Sequence, residues 1–102
     1  MNHYLLFYTL SDDYMERRGQ FRDEHLRKAW ASHAHGDMLL GGALAEPADT
    51  ALLMFRGESP AAAEEFAKTD PYVLNGLVKS WRVRQWTTVL GEWAATPVRP
   101  SA

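Results

Sequence analysis

Between residues 18 and 33 two arginines and two histidines recur at positions that a helix brings to one side. At about 100° per residue, Arg18, Arg22, His25, Leu26, Ala29 and His33 form a single stripe, with Phe21 and Trp30 at its margins. That composition is polar for a face meant to pack on a core. Guanidinium groups grip anions through paired hydrogen bonds, and the apolar Leu26 and Ala29 among them suit the wall of a pocket for a small organic anion. The plain alternative is an amphipathic boundary from which long arginine stems reach water. His25 brings to the stripe a group fit for proton transfer, because imidazole ordinarily titrates at about 6.5. A helical histidine can equally be a satisfied boundary residue, and the spacing leaves both readings open.

Asp70 has a structural explanation ready. It stands immediately before Pro71, the ordinary order for a helix cap, its carboxylate accepting the amide hydrogens of Tyr72 or Val73. A metal is not expected. His25 and His33 lie eight residues apart in the sequence, which is roughly 12 Å along a helix at 1.5 Å per residue and too far to share one small ion. His33 and His35 point to different sides, and the chain has no cysteine to complete a site. Gly41-Gly42 falls inside an apolar run, where paired glycines mark a bulge or a close backbone approach rather than a phosphate loop. The expectation is a site that works without a cofactor.

These residues need elements to position them. Residues 3–10, HYLLFYTL, read as a strand covered on both faces and bounded by Ser11-Asp12-Asp13. A helical pattern then runs from Ser11 or Asp13 to about Ala34, acids early and Arg27 and Lys28 late, and stops at Gly36. Residues 37–44 and 51–55 flank the turn-forming Glu46-Pro47-Ala48-Asp49 as the strands of a hairpin. Ser59-Pro60 opens a second helix that turns Ala63, Phe66 and Ala67 to the sheet; Asp70-Pro71 opens a short helical turn over residues 72–77, broken at Gly76. Trp81–Leu90 reads as the fourth strand, with Trp81, Val83 and Val89 on one side and Trp86 and Leu90 on the other. After Trp93 the prolines and lack of period predict a loose tail, giving one domain over residues 1–93 and a tail over 94–102.

The order β-α-β-β-α-β is the split arrangement in which two helices cover one face of a four-stranded antiparallel sheet, an α+β class. Strands one and four carry apolar residues toward the other face as well, so a second copy is expected to cover it, sheet on sheet. The 102 residues allow a single core, and 46% hydrophobic with 12% aromatic residues supply enough apolar surface to hold it. No leader and no long apolar stretch are read at the start, and without cysteine the cytoplasm is the expected compartment, with no membrane contact. Eleven Lys and Arg against thirteen Asp and Glu give a formal charge of −2, which disfavours nucleic acid as a partner.

Four segments together resemble a known family. They are Arg22-Asp23-Glu24-His25-Leu26, the run from Gly36 to Leu44, Asp70-Pro71-Tyr72-Val73-Leu74-Asn75-Gly76-Leu77-Val78, and Trp81-Arg82-Val83-Arg84-Gln85-Trp86. In order and separation they are similar to the YCII-related (YciI-like) proteins, over about residues 3 to 93. The sequence departs at Gly19-Gln20, where many relatives carry a proline-containing turn. The resemblance implies a ferredoxin-like fold dimerised through its sheets as a dimeric α/β barrel. It also implies a pocket in which a histidine and an aspartate form an acid/base pair, here His25 and Asp70. The family looks related to muconolactone isomerases and chloromuconolactone dehalogenases, which handle small anionic ring compounds with neither metal nor organic cofactor.

An enzyme of that kind, a lyase or isomerase, would use the carboxylate to fix one imidazole nitrogen and raise the basicity of the other. Arg22 would hold a substrate carboxylate, and Tyr72 would close the pocket or donate a hydrogen bond. The competing reading is a ligand-binding or regulatory module using the same pocket, with Asp70 only capping and His25 only packed. A third is a cofactor-free oxygenase or haem-associated protein, since such folds host those functions too.

Overall fold

The computed structural model describes residues 1–101; Ala102, the end of the expected tail, lies outside them. Strand β1 (Asn2–Leu10) is followed by a short helix α1 (Tyr14–Arg17), a 3₁₀ turn over Arg18–Gln20, and helix α2 (Arg22–His35). Strands β2 (Met38–Ala43) and β3 (Thr50–Gly57) form the hairpin; then come α3 (Ala61–Thr69), α4 (Pro71–Leu74) and β4 (Val78–Trp86). The four strands make one sheet in the order β2-β3-β1-β4, every neighbouring pair antiparallel. This is the α+β, ferredoxin-like arrangement that the order of elements predicts.

Strand pairing settles which side chains share a face. Tyr8 lies opposite Ala51 and Trp81, Leu6 opposite Leu53 and Val83, and Tyr4 opposite Phe55 and Gln85. Tyr4, Leu6, Tyr8, Leu53 and Phe55 are buried under the helices with Ala63, Phe66 and Ala67 of α3. Their burial supplies most of the apolar stabilisation, at about 25 cal/mol per Å². The opposite face carries His3, Leu5, Phe7, Leu52 and Met54, with Trp86 paired to His3. Leu5, Phe7, Leu52 and Met54 are half-buried, and Arg82 lies over the Phe7 ring at 4.7 Å.

Local chemistry explains where the elements differ from the sequence expectation. The first helix is interrupted: Phe21 adopts φ −120°, and the turn at Arg18–Gln20 contains Gly19, whose backbone freedom weakens a helix. Buried Tyr14 anchors the short α1 separately, so Tyr14 and Arg18 approach α2 from beside its start. The stop at Gly36 is as expected, with φ 96° and the Asp37 amide bonded back to the Ser32 carbonyl at 3.0 Å. Strand β4 begins at Val78 and ends at Trp86, so Val89 and Leu90 lie beyond it.

Beyond β4 the chain folds back on itself. The amides of Ala95, Thr96 and Val98 bond to Thr88 Oγ1, the Thr88 carbonyl and the Val89 carbonyl. Thr88 Oγ1 also meets buried His3 Nδ1 at 2.7 Å. Burial, then the N-terminal ammonium and Arg56, hold the His3 ring below its ordinary titration range, which keeps it neutral at this contact.

Candidate functional site

Helix α2 contains no buried residue although it stands on the covered side of the sheet, against β2 and α4. The space it leaves beneath itself is a cavity of about 330 Å³. Arg22, His25, Leu26, Ala29, Trp30 and His33 of α2 line it, Tyr14 and Arg18 join them beside the helix start, and Met38 to Ala43 form the facing wall. The polar stripe read from the sequence is therefore a cavity wall. Trp30 stays 66% exposed, because none of the described residues covers the outer part of the opening. A bulge between Met38 and Leu40 adjusts the β2 wall, and Gly41 leaves it bare of a side chain next to Leu53.

At the inner end the structure brings His25 and Asp70 together. His25 Nδ1 is 2.9 Å from Asp70 Oδ1 and 3.1 Å from Oδ2. Asp70 is fully buried, and its carboxylate also accepts the Tyr72 amide on Oδ1 at 3.1 Å and the Tyr8 hydroxyl on Oδ2 at 2.6 Å. The cap expected of an Asp before Pro is present, and the same carboxylate does two further things. A buried carboxylate needs several donors to be tolerated, and here an amide, a phenol and an imidazole supply them.

The geometry also selects a tautomer. With Nδ1–H donated to the carboxylate, Nε2 carries the lone pair. Among the described residues no buried side-chain nitrogen or oxygen lacks a partner, so the unbonded Nε2 is accessible. Tyr72 lies flat beneath the imidazole, centroids 3.9 Å apart and planes within 7°, while Phe66 meets its edge. The ring is thereby held in orientation from two sides.

The two phenols near Asp70 remain donors. Burial first, then the Asp70 charge and the hydrogen bond to it, push the Tyr8 hydroxyl above the usual phenol range. Burial, with Tyr14 and Asp70 adding to it, pushes Tyr72 up to about 12, against the pull of the Arg22 and Arg18 guanidinium groups. That pull reports positive charge beside the His25 end of the cavity. Arg22 itself is exposed, at the first position of α2, free to turn toward a ligand.

Of the four residues singled out from the sequence, His25 and Asp70 touch, Tyr72 stacks on the histidine, and Arg22 lines the same cavity. Tyr8 was not singled out. The signal was a tyrosine on the core-facing side of a strand, since a buried phenol must find a partner for its hydroxyl.

A family model described as the YCII-related domain matches residues 1–87. No curated protein matches the chain. Among solved structures, the 5-chloro-2-hydroxyhydroquinone dehydrochlorinase of Burkholderia phenoliruptrix AC1100, in complex with 2,5-dihydroxybenzoquinone, superposes with a TM-score of 0.70 at 18% identity, covering 84% of this chain and 94% of that one. Protein Atu4242 of Agrobacterium tumefaciens superposes with a TM-score of 0.57 at 12% identity, covering 93% and 98%. At these identities the likeness is one of fold.

Proposed function

This chain belongs to the YCII-related family, and on that footing we propose that it is a small-molecule enzyme in which His25 and Asp70 move a proton on an acidic ring compound. The observation that carries the reading is the buried carboxylate bonded to His25 Nδ1 while Nε2 remains open at the cavity. A base so placed removes a proton from a substrate carbon or hydroxyl, and the imidazolium formed is compensated by Asp70. The freed electron pair becomes a new double bond, and either a leaving group departs with its bonding electrons or the π pair so displaced takes the proton back from the same nitrogen at another atom. Elimination and isomerisation both fit, and neither step calls for a metal or an organic cofactor.

The ligand class follows from the walls. Aromatic and aliphatic side chains with two guanidinium groups at one end suit a flat ring bearing an acidic oxygen. A dehydrochlorinase acting on a chlorinated hydroxylated ring shares the fold, which supports a ring substrate here. The test is binding of benzoate by calorimetry. Wild type should bind it, and Arg22→Ala should weaken binding about tenfold, the loss expected for one charge-assisted contact. Equal binding by the variant would remove Arg22 from the site. If ligands bind but no ring acid or lactone is ever turned over, the chain is a binding module.

The same reading assigns the half-buried apolar sheet face to a second copy of the chain, which by light scattering should give twice the monomer mass at micromolar concentration. A monomeric mass would leave Leu5, Phe7, Leu52 and Met54 without cover and the assignment without support.

A further inference from the structure

The cavity has a second polar end that proton transfer does not use. His33 lines it together with Met38, and its Nδ1 is 2.8 Å from the Met38 carbonyl. A carbonyl only accepts, so Nδ1 carries the hydrogen and, in the neutral ring, Nε2 is an acceptor. The ring is further held by Trp30, edge to face at 5.3 Å and 88°. Nothing in the mechanism requires a histidine with a fixed tautomer at this place.

Its separation from His25 has the scale of a ligand. The two residues are eight positions apart on the uninterrupted helix α2, roughly 12 Å along the axis. Eight positions at about 100° each also turn the two side chains about 80° apart on the helix, so they border the cavity at different points along its wall. An axial rise of that order leaves room between the two ends for one six-membered ring. The wall between the two ends is apolar, from Leu26 and Ala29 on the helix and Leu53 opposite, as the body of such a ring requires.

We propose that His33 is a specificity-determining residue that accepts a hydrogen bond from a hydroxyl on the part of the ring remote from the ligand's acidic group, so that the preferred ligands are hydroxylated ring acids. The inference rests on the cavity's binding of ring acids. It adds the far end and the donor it demands.

The experiment compares benzoate, 4-hydroxybenzoate and 4-methoxybenzoate by calorimetry on wild type, Arg22→Ala, His33→Ala and His33→Asn. Asparagine can still donate to the Met38 carbonyl but lacks the distal nitrogen, which separates the proposed contact from a merely structural one. Wild type should bind 4-hydroxybenzoate about three- to tenfold more tightly than the other two, the effect of one hydrogen bond. Both His33 variants should lose the preference and bind all three alike. Equal affinities in wild type, or a hydroxyl preference that survives in His33→Asn, would overturn the role of His33 while Arg22-dependent benzoate binding kept the proposed function standing. Failure of all three to bind wild type would overturn both.

Discussion

Asp70→Ala should destabilise the fold by about 2–5 kcal/mol, whereas Asp70→Asn, which keeps the cap, should cost less, about 1–3 kcal/mol. Alanine removes the cap on the Tyr72 amide and strands the Tyr8 hydroxyl, which is buried and has no other partner. A lost cap costs about 0.5–2 kcal/mol and a stranded buried donor about 1–3. In a domain whose total stability is on the order of 5–15 kcal/mol, that is a large share. Asparagine keeps Oδ1 for the Tyr72 amide and His25 Nδ1–H, so the cap survives, but its NH₂ faces the Tyr8 hydroxyl, whose hydrogen loses its acceptor. It also lacks the charge. Turnover by Asp70→Asn should therefore fall with Asp70→Ala, by about 10²–10⁴, because the imidazolium formed at His25 is no longer compensated. Denaturant melts and turnover on the same two variants check this. If Asn keeps full turnover, Asp70 is a cap and a hydrogen-bond hub and no more.

His25→Gln should abolish turnover of any ring acid or lactone that wild type converts, a loss of about 10²–10⁴. Its melting point should move little. The imidazole contributes one hydrogen bond and a stack on Tyr72, and Asp70 retains its phenol and amide donors in the variant. The proposed base is the Nε2 lone pair, which Asp70 secures by holding Nδ1–H. No alkaline limb should come from the neighbouring phenols through neutral and mildly alkaline pH, because Tyr72 is pushed up to about 12 and Tyr8 also lies above its ordinary range. A bell-shaped profile falling between those limits would mean that a different acid takes part. A variant that melts early yet turns over normally would make His25 a packing residue.

The sequence was legible wherever a local rule had one answer. Gly36 ends its helix because the αL cap suits glycine, and Asp70-Pro71 opens the next turn because cap and fixed φ coincide. The stripe on α2 was readable from angular spacing alone, and every member of it lines the cavity. Long-range consequences were not readable. Spacing allows Asp70 to cap but does not reveal that 45 residues upstream a histidine, and 62 upstream a tyrosine, converge on the same carboxylate. The pairing of His25 with Asp70 came from family resemblance, and Tyr8 came from neither source. Strand β4 was placed late because Val89 and Leu90 continue an apolar pattern after the ladder has ended, and sequence period cannot see where a partner strand stops. The break at Gly19 was similarly hidden, since one glycine inside a helical pattern costs only about 1 kcal/mol and its effect depends on where Tyr14 is buried.

In the proposed mechanism the His25 nitrogen facing the cavity is the base and the other is held by Asp70. Nitrogen-15 NMR of histidine-labelled protein, with benzoate added stepwise near neutral pH, addresses it directly. The expected result is a His25 ring carrying its hydrogen on Nδ1, with an Nε2 resonance that moves as the ligand fills the cavity. A His25 ring protonated at Nε2 instead, or an Nε2 resonance indifferent to ligand, would contradict it.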